Sequence, residues 1–202
     1  MIQISQITVK RDANEVITGF SADFKAGTVS AIIGPNGSGK STLLAAIAGD
    51  LPLVTGELKL AGSEVASYKI ADLAKVRSVA PQQPIFNLAF TVREVMEMAR
   101  SAGSTVASEH QALADLAATE LSDRKVTELS GGERQRISVA LALASPAPIL
   151  LLDEPFAAQD SLSRDRIVSL LKQAAKSGKT VILVAHLPEA ELLWCDQIIK
   201  DF

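Results

Sequence analysis

The segment "GPNGSGKS" has the residue types and spacing of a phosphate-binding loop, G-x-x-x-x-G-K-[ST]. Its glycines let the backbone turn its N–H groups inward, where they and the start of a following helix can hold phosphate oxygens. Lys40 adds a positive charge toward the β- and γ-phosphates, and the Ser41 hydroxyl can bind Mg²⁺. A glycine turn that only caps a helix is the alternative. The predicted nucleotide-binding residues of this segment are Gly34, Pro35, Asn36, Gly37, Ser38, Gly39, Lys40, Ser41 and Thr42.

Two adjacent carboxylates follow an apolar run in "ILLLDEP". Ligands of an open α/β sheet bind at the carboxyl ends of its strands. Neighbouring residues at a strand end point in different directions, so the two acids can have different roles. We expect Asp153 to hold Mg²⁺ through water and Glu154 to polarise a water molecule for attack on a γ-phosphoryl group. A solvated turn is the alternative, which the four apolar residues upstream disfavour.

Two more polar side chains follow apolar runs, His186 after "TVILVA" and Gln82 in "VAPQQP". A histidine there can donate to a γ-phosphate oxygen or orient the attacking water. The amide of Gln82 can complete the shell of the metal ion or of the water. Either residue alone carries little weight, so both predictions depend on the neighbouring strand ends.

These residues need a sheet to position them, and the apolar pattern predicts one. Short, continuous apolar runs predict buried strands at residues 28–33, 149–152 and 180–185. Alternation at the N-terminus, with one slip, predicts an edge strand formed by Ile2, Ile4, Ile7 and Val9. A helix follows the glycine-rich loop and ends at Gly49, and an amphipathic helix lies between the last two buried strands. Strands separated by helices predict a parallel sheet with helices packed on it.

The middle of the chain, residues 84–147, shows helical patterns and no convincing strand. Three frames of the type Ser/Thr-x-x-Glu/Gln predict capped helix starts there. The frames are Thr91 with Glu94, Ser108 with Gln111, and Ser130 with Glu133. The third opens "LSGGERQR", which holds no nucleophile–base pair and no metal-ligand cluster, so its role is not explained by the local pattern.

Composition excludes several classes of protein. The chain has 202 residues, of which 48% are hydrophobic and 21% charged, which is ordinary for a soluble domain. The net charge of −3 disfavours a free-standing nucleic-acid binder. A single cysteine, Cys195, allows no disulfide within the chain, and we expect it to be an inert thiol. No apolar run reaches the roughly 18 residues that a membrane span needs.

Taken together and in order, the motifs closely resemble those of the ATP-binding subunit of ABC transporters. Residues 34–41 resemble Walker A, Gln82 the Q-loop, 129–133 the LSGGE signature and 149–153 Walker B. The resemblance implies that Glu154 is the catalytic base, with Gln82, Asp160 of the D-loop and His186 also in the catalytic set. It implies ATP and Mg²⁺ as cofactors, with Ser41, Gln82 and Asp153 around the metal.

The resemblance also gives the signature segment a role. In this family the loop meets the ATP of a second, antiparallel copy, so the predicted ligands of that ATP are Ser130, Gly131, Gly132 and Glu133. A helix N-terminus favours anions, and glycines permit close approach to a phosphate. The implied fold is α/β, a P-loop NTPase core with a helix-flanked parallel sheet, an N-terminal antiparallel β-subdomain and an inserted α-helical subdomain. Residues 1–202 would form one ATPase domain, with its core at 1–83 and 148–202 and the helical part at about 84–147.

Two features depart from the family pattern. The family usually stacks adenine on an aromatic residue near the N-terminus, whereas "TVKRDANEV" offers none, so we expect Arg11 to stack its guanidinium on the base with looser base selectivity. The sequence also ends just after "CDQIIKDF", whereas many relatives continue, so no C-terminal regulatory domain is expected.

The segment "SVAPQQPIFNLAFTVREVMEMAR" resembles importers of iron–siderophore, haem or cobalamin. This implies integral membrane permease subunits as partners, and a peripheral location on the cytoplasmic face of a bacterial cell membrane. The docking surface would include Ile85, Phe86, Leu88, Ala89 and Phe90. A haem-exporting ATPase of cytochrome c maturation is the main alternative, and a non-transport ABC ATPase acting on ribosomes or DNA is another. The acidic balance argues against direct nucleic-acid binding.

Overall fold

A computed structural model describes residues 1–11, 14–84, 89–200 and 202. In this part of the chain the strands are β1 (Ile2–Arg11), β2 (Asn14–Phe24), β3 (Val29–Ile32), β4 (Leu53–Leu60), β5 (Ser63–Glu64), β6 (Arg77–Ala80), β7 (Ile149–Asp153), β8 (Thr180–Val184) and β9 (Gln197–Ile199). The α-helices are α1 (Lys40–Ala48), α2 (Ile70–Val76), α3 (Val92–Met98), α4 (Val106–Asp115), α5 (Gly131–Ala144) and α6 (Ser161–Lys176). Short 3-10 helices lie at Val65–Ser67, Ala99–Ala102, Thr119–Leu121, Val126–Glu128 and Glu189–Glu191.

The predicted parallel sheet is confirmed. Its order is β6-β7-β8-β3-β9, and every neighbouring pair is parallel. The carboxyl ends of β3, β6, β7 and β8 therefore meet at one edge, where the chain continues into the glycine-rich loop, Gln82, the two carboxylates and His186.

Each face of this sheet is covered, which explains the continuous apolar runs. In β7, Leu150 and Leu152 pack into the cluster that contains α5 and α6, whereas Ile149 and Leu151 pack toward α1 and the antiparallel sheet. All four side chains are fully buried. The helices of the middle region share the first cluster, so they pack on the same core as the sheet.

The antiparallel sheet has the order β2-β1-β4-β5, so the expectation that the N-terminal strand lies at an edge is wrong. The strand pairs with β2 on one side and with β4 on the other. The slip in its alternation is a bulge at Gln6, whose φ is +49°. Gly56 makes room for the bulge, because a Cβ there would lie 2.4 Å from the Gln6 carbonyl oxygen.

Two of the three predicted helix caps are confirmed. Thr91 with Glu94 and Ser130 with Glu133 both form complete capping boxes. The frame at Ser108 and Gln111 is wrong, because α4 begins one turn earlier, with Thr105 as its N-cap and Ser108 returning the bond. Between 89 and 147, the described residues hold helices and a single isolated bridge, as the sequence predicts.

Candidate functional site

The glycine-rich loop connects β3 to α1 at the carboxyl edge of the sheet. Gly37 and Gly39 have φ values of +81° and +96°, in the left-handed region that side chains disfavour. A Cβ on Gly39 would also lie 2.7 Å from Val16 Cγ1, so β2 packs directly against the loop. Only glycine fits this position without displacing a neighbour.

Lys40 begins α1 and lies within the loop. Its side chain is 4% exposed, and its Nζ donates to the carbonyl oxygens of Gly34 at 2.9 Å and Pro35 at 2.7 Å. Burial lowers the pKa of Lys40, and the nearby charges of Glu154 and Asp153 act in the opposite direction. A fixed ammonium group therefore lies beside the loop amides, in the position that a phosphate group needs.

A cleft of about 650 Å³ opens at this edge of the sheet. It brings together the glycine-rich loop with residues of β1 and β2 and of the segments that follow β6, β7 and β8. The lining residues are Arg11, Val16, Asn36, Gly37, Gly39, Lys40, Ser41, Thr42, Gln82, Glu154 and His186. The remaining predicted loop residues, Gly34, Pro35 and Ser38, belong to the same turn but do not line the cleft.

Glu154 and His186 form a close pair in the cleft, with Oε1 and Nε2 2.8 Å apart. Glu154 has a φ of +49°, a strained backbone conformation for a residue with a side chain. Its N–H donates to the Val184 carbonyl oxygen at the end of the neighbouring strand, at 3.0 Å. The strand pairing thus continues to Glu154, while the left-handed backbone turns its side chain away from the direction of Asp153.

Asp153 lies behind this pair and has a different environment. Its Oδ1 is buried and has no hydrogen-bond partner among the described residues. Burial raises the pKa of Asp153, the Ser41 hydroxyl opposes that shift, and the charge of Glu154 adds to it. A buried, unpartnered carboxylate oxygen next to a serine hydroxyl suits a hard cation such as Mg²⁺, which takes few protein ligands. The described residues contain no cluster of three or more His, Cys, Asp or Glu side chains that could hold a metal.

The signature residues lie at the start of α5 and do not line the cleft. Ser130 Oγ accepts from the Glu133 N–H at 3.2 Å, and Glu133 Oε2 accepts from the Ser130 N–H at 2.7 Å. Arg124 also holds Glu133, with its NH1 2.9 Å from Oε1. Gly131 is exposed, and a Cβ there would meet nothing within 4 Å. These bonds thus hold the start of α5 within the chain, and Ser130 and Gly131 are exposed.

Asp160 is also outside the cleft. Its Oδ1 accepts from the Ser163 N–H at 2.7 Å and caps α6, and this bond lowers the pKa of Asp160. Within one chain its carboxylate is therefore a helix cap, and Asp160 is exposed. It directly follows Gln159, which bonds to Gly132 of the signature loop.

Sequence reasoning missed two polar residues that shape this region. Gln135 in α5 is 2% exposed and lies beside the backbone of Asp153 and Glu154. Gln159 donates from the loop before α6 to the Gly132 carbonyl oxygen at 2.9 Å. The burial of Gln135 in an otherwise mixed helix gives no signal in composition, whereas the position of Gln159 beside the predicted D-loop aspartate was a usable signal.

Comparison of the chain with known proteins identifies its family. A family model described as ABC transporter matches residues 17–157. The chain belongs to the ABC transporter family. Within it, the chain is an ATP-binding subunit and an ATPase.

Two curated relatives carry the description hemin import ATP-binding protein HmuV. The protein of Rhizobium meliloti (strain 1021) is 38% identical over 212 aligned residues, which cover 98% of this chain and 81% of the relative. The protein of Streptomyces coelicolor (strain ATCC BAA-471 / A3(2) / M145) is 40% identical over 178, covering 85% of this chain and 64% of the relative.

Solved structures share the fold over the whole chain. MJ0796, a bacterial ABC transporter cassette with a dimeric structure, is 27% identical with a TM-score of 0.85, covering 100% of this chain and 95% of that one. The ATP-binding subunit of another ABC transporter reaches a TM-score of 0.91 at 20% identity, covering 99% and 85%. Among the described residues of this chain, no helix combines the length and apolar character that crossing a bilayer requires.

Proposed function

We propose that this ATPase powers an importer of haem, iron–siderophore or cobalamin, and that two copies of the chain share two ATP sites. The observation that carries the proposal is the division of the motifs. The phosphate loop, Gln82, Glu154 and His186 line one cleft, whereas the signature residues at the start of α5 do not line it, and Ser130 and Gly131 are exposed. The hemin import relatives support this class of cargo over haem export, ribosome binding or DNA repair.

The residues of the cleft divide the work of ATP hydrolysis. The loop amides and Lys40 hold the β- and γ-phosphates and neutralise the charge that develops during transfer. Glu154 Oε1 accepts a hydrogen bond from the attacking water and draws off its proton. His186, at 2.8 Å from that oxygen, orients the carboxylate and can donate to the γ-phosphate. Gln82, on the loop after β6, completes the water shell.

Mg²⁺ fits the arrangement of Asp153 and Ser41. When bound, it would neutralise charge between the β- and γ-phosphates. Ser41 would offer a hydroxyl and Asp153 its unpartnered oxygen toward the ion or its water, and Gln82 lines the same cleft as Ser41. A single carboxylate is consistent with the preference of Mg²⁺ for water and phosphate ligands.

The signature loop supplies the other half of the site to a second copy. Ser130 and the amides of Gly131 and Gly132 begin α5, so the positive end of the helix faces the incoming phosphate. Glu133 completes the cap, and Asp160 lies at the start of α6 on the neighbouring loop. ATP then joins the two copies, and loss of the γ-phosphate weakens the contact.

Arg11 and Val16 line the cleft, and we propose that the adenine base lies beside them. Arg11 is exposed and can stack its guanidinium on a base, and neither residue offers a hydrogen-bond pattern that selects adenine. The position of Asp12 lies outside the described residues. Similar affinities for ATP and GTP follow from this arrangement.

The chain would work as one ATPase domain, with its core at 1–83 and 148–202, on the cytoplasmic face of a bacterial membrane. Its partner there would be an integral membrane permease. Of the proposed docking residues, Ala89 is exposed. Phe90 is partly buried and packs against the core cluster that the helices of the middle region share with the parallel sheet. Ile85, Phe86 and Leu88 lie outside the described residues.

Purification with the co-isolating permease, followed by uptake assays in liposomes, tests this proposal. The cargoes are haem, a ferric siderophore and cobalamin, with ATP on the side of the ATPase. Lys40→Ala should lose nucleotide affinity, whereas Glu154→Gln should retain it and lose roughly 10²–10⁴-fold in hydrolysis. ATP-dependent movement of haem in the export direction, or uptake that survives Lys40→Ala, would contradict the proposal.

A further inference from the structure

The loop from β7 to α6 lies directly against the first turn of α5. Gln159 Nε2 donates to the Gly132 carbonyl oxygen at 2.9 Å, and to the Ala157 carbonyl oxygen at 3.3 Å. A Cβ on Gly132 would lie 2.6 Å from the Ala158 carbonyl oxygen, closer than side chains tolerate. The two loops are therefore in backbone contact at a glycine, with a glutamine amide joining them.

The loop that carries Gln159 is itself firmly placed. Phe156 is buried and packs edge-on against Trp194, with ring centroids 6.4 Å apart. At the other end, Asp160 caps α6. Since both ends of this loop are fixed, the hydrogen bond from Gln159 also fixes the position of the signature loop relative to it.

A second contact joins α5 to the catalytic strand end. The Gln135 amide lies between two pairs of backbone carbonyl oxygens. In one orientation its nitrogen is 3.4 and 3.5 Å from the carbonyl oxygens of Asp153 and Glu154. In the other, it is 3.2 and 3.3 Å from those of Gln82 and Pro81, and these shorter distances favour the second orientation. Either way, one face of α5 rests on the segments that carry the catalytic groups.

We propose that Gln159 is a positioning residue that fixes the signature loop relative to Glu154 of the same chain. The inference rests on the proposed function, because its consequence appears only when a second copy binds. Gln159 does not line the ATP cleft, so it acts through Gly132 and not on the nucleotide of its own chain. Without it, the signature loop loses a contact that holds it ready for the partner's ATP.

Two substitutions separate the donor from the shape of the side chain. Gln159→Leu keeps a similar volume and removes the N–H donor. Gln159→Glu keeps the shape and places a carboxylate oxygen against the Gly132 carbonyl oxygen, which is repulsive. Gln173→Leu is the matched control, since Gln173 is exposed on the body of α6.

The measurement is sedimentation in the Glu154→Gln background with ATP and Mg²⁺, together with nucleotide affinity of the dilute monomer. In Gln159→Leu each copy must order a freed signature loop when it dimerises, and two such ordering costs predict roughly tenfold weaker dimerisation, with a larger loss for Gln159→Glu. Monomer affinity for ATP and dimerisation of the control should stay unchanged. If Glu154→Gln dimerises and Gln159→Leu dimerises as tightly, the inference is overturned; if Glu154→Gln itself stays monomeric, it is the proposed function that fails.

Discussion

At the scale of single residues, the carboxylates of this site differ in what they contribute to the isolated chain. Glu154 has a partner at 2.8 Å, whereas Oδ1 of Asp153 is buried without one. The carboxylate that we propose for the metal site thus lowers the stability of the nucleotide-free fold, a common trade-off between stability and activity.

Asp153→Asn should therefore stabilise the nucleotide-free protein at pH 7, by about 1 kcal/mol, because asparagine keeps the size of the side chain and removes its desolvated charge. Burial raises the folded-state pKa of Asp153, so its ionised form destabilises the fold above that pKa. The advantage of the variant should shrink as the pH falls through the raised pKa and the wild-type side chain takes up its proton. Urea unfolding from pH 7 to pH 4 measures this; a variant less stable than the wild type at pH 7 would contradict it.

The meeting of most proposed site residues in one cleft was predictable, because phosphate chemistry sets the types and spacing of such residues. Lys40, Glu154 and His186 each follow a strand whose apolar run is visible in the sequence, and the structure brings all three to one cleft. The buried position of Gln135 was not predictable. The backbone carbonyl oxygens on the two sides of its amide belong to segments that lie more than fifty residues apart in the sequence.

At the scale of elements, helix starts carry much of the local order. The Ser130–Glu133 capping box lowers the pKa of Glu133, chiefly through the Ser130 N–H, with Arg124 adding to the effect. Its contribution to stability is therefore present above the ordinary pKa of glutamate and is lost as the pH falls through the lowered one.

Glu133→Gln should keep the box geometry and lose the charge, because glutamine also fits this position. We expect a loss of about 0.3–1 kcal/mol at pH 7 and none at a pH below the lowered pKa. Denaturant unfolding at both values tests this, with Glu128→Gln, on the exposed turn before the box, as the matched control. An equal loss at both values would show that geometry and not charge is responsible.

The two signature glycines should respond differently to alanine. Gly132→Ala forces a Cβ to within 2.6 Å of the Ala158 carbonyl oxygen and should destabilise the folded monomer. Gly131→Ala meets nothing within 4 Å and, at a helical position, should leave the monomer as stable or slightly more so. Both should weaken ATP-dependent dimerisation. Thermal unfolding measures the stability of the monomer, and sedimentation measures its ATP-dependent dimerisation. A destabilised Gly131→Ala monomer would contradict this prediction.

Element types were more predictable than element neighbours. The buried strands and the helix caps at Thr91 and Ser130 follow from local patterns. The wrongly predicted cap of α4, Ser108, lies three residues after Thr105. Both residues can cap a helix, and the structure uses Thr105. The first strand was misplaced at an edge because its second neighbour, β4, lies more than forty residues further along the chain and leaves no trace in its alternation.

At the scale of the whole molecule, a shared core joins the helical region to the sheet. Val92 and Leu113 of that region belong to the same buried cluster as Leu152 and Leu183 of the sheet. We therefore expect calorimetry to show a single cooperative unfolding transition for residues 1–202, with equal calorimetric and van 't Hoff enthalpies. Two separated transitions would mean that the helical region folds as an independent unit.

We propose that each ATP site needs two copies of this chain, one for the phosphate loop and one for the signature loop. Sedimentation of Glu154→Gln, with and without Ser130→Arg, in ATP and Mg²⁺ tests it most directly. We expect Glu154→Gln alone to form an ATP-dependent dimer. With Ser130→Arg added, the double variant should remain a monomer that still binds ATP. A double variant that dimerises as tightly as the single one, or a single variant that binds ATP and stays monomeric beside its permease, would contradict it.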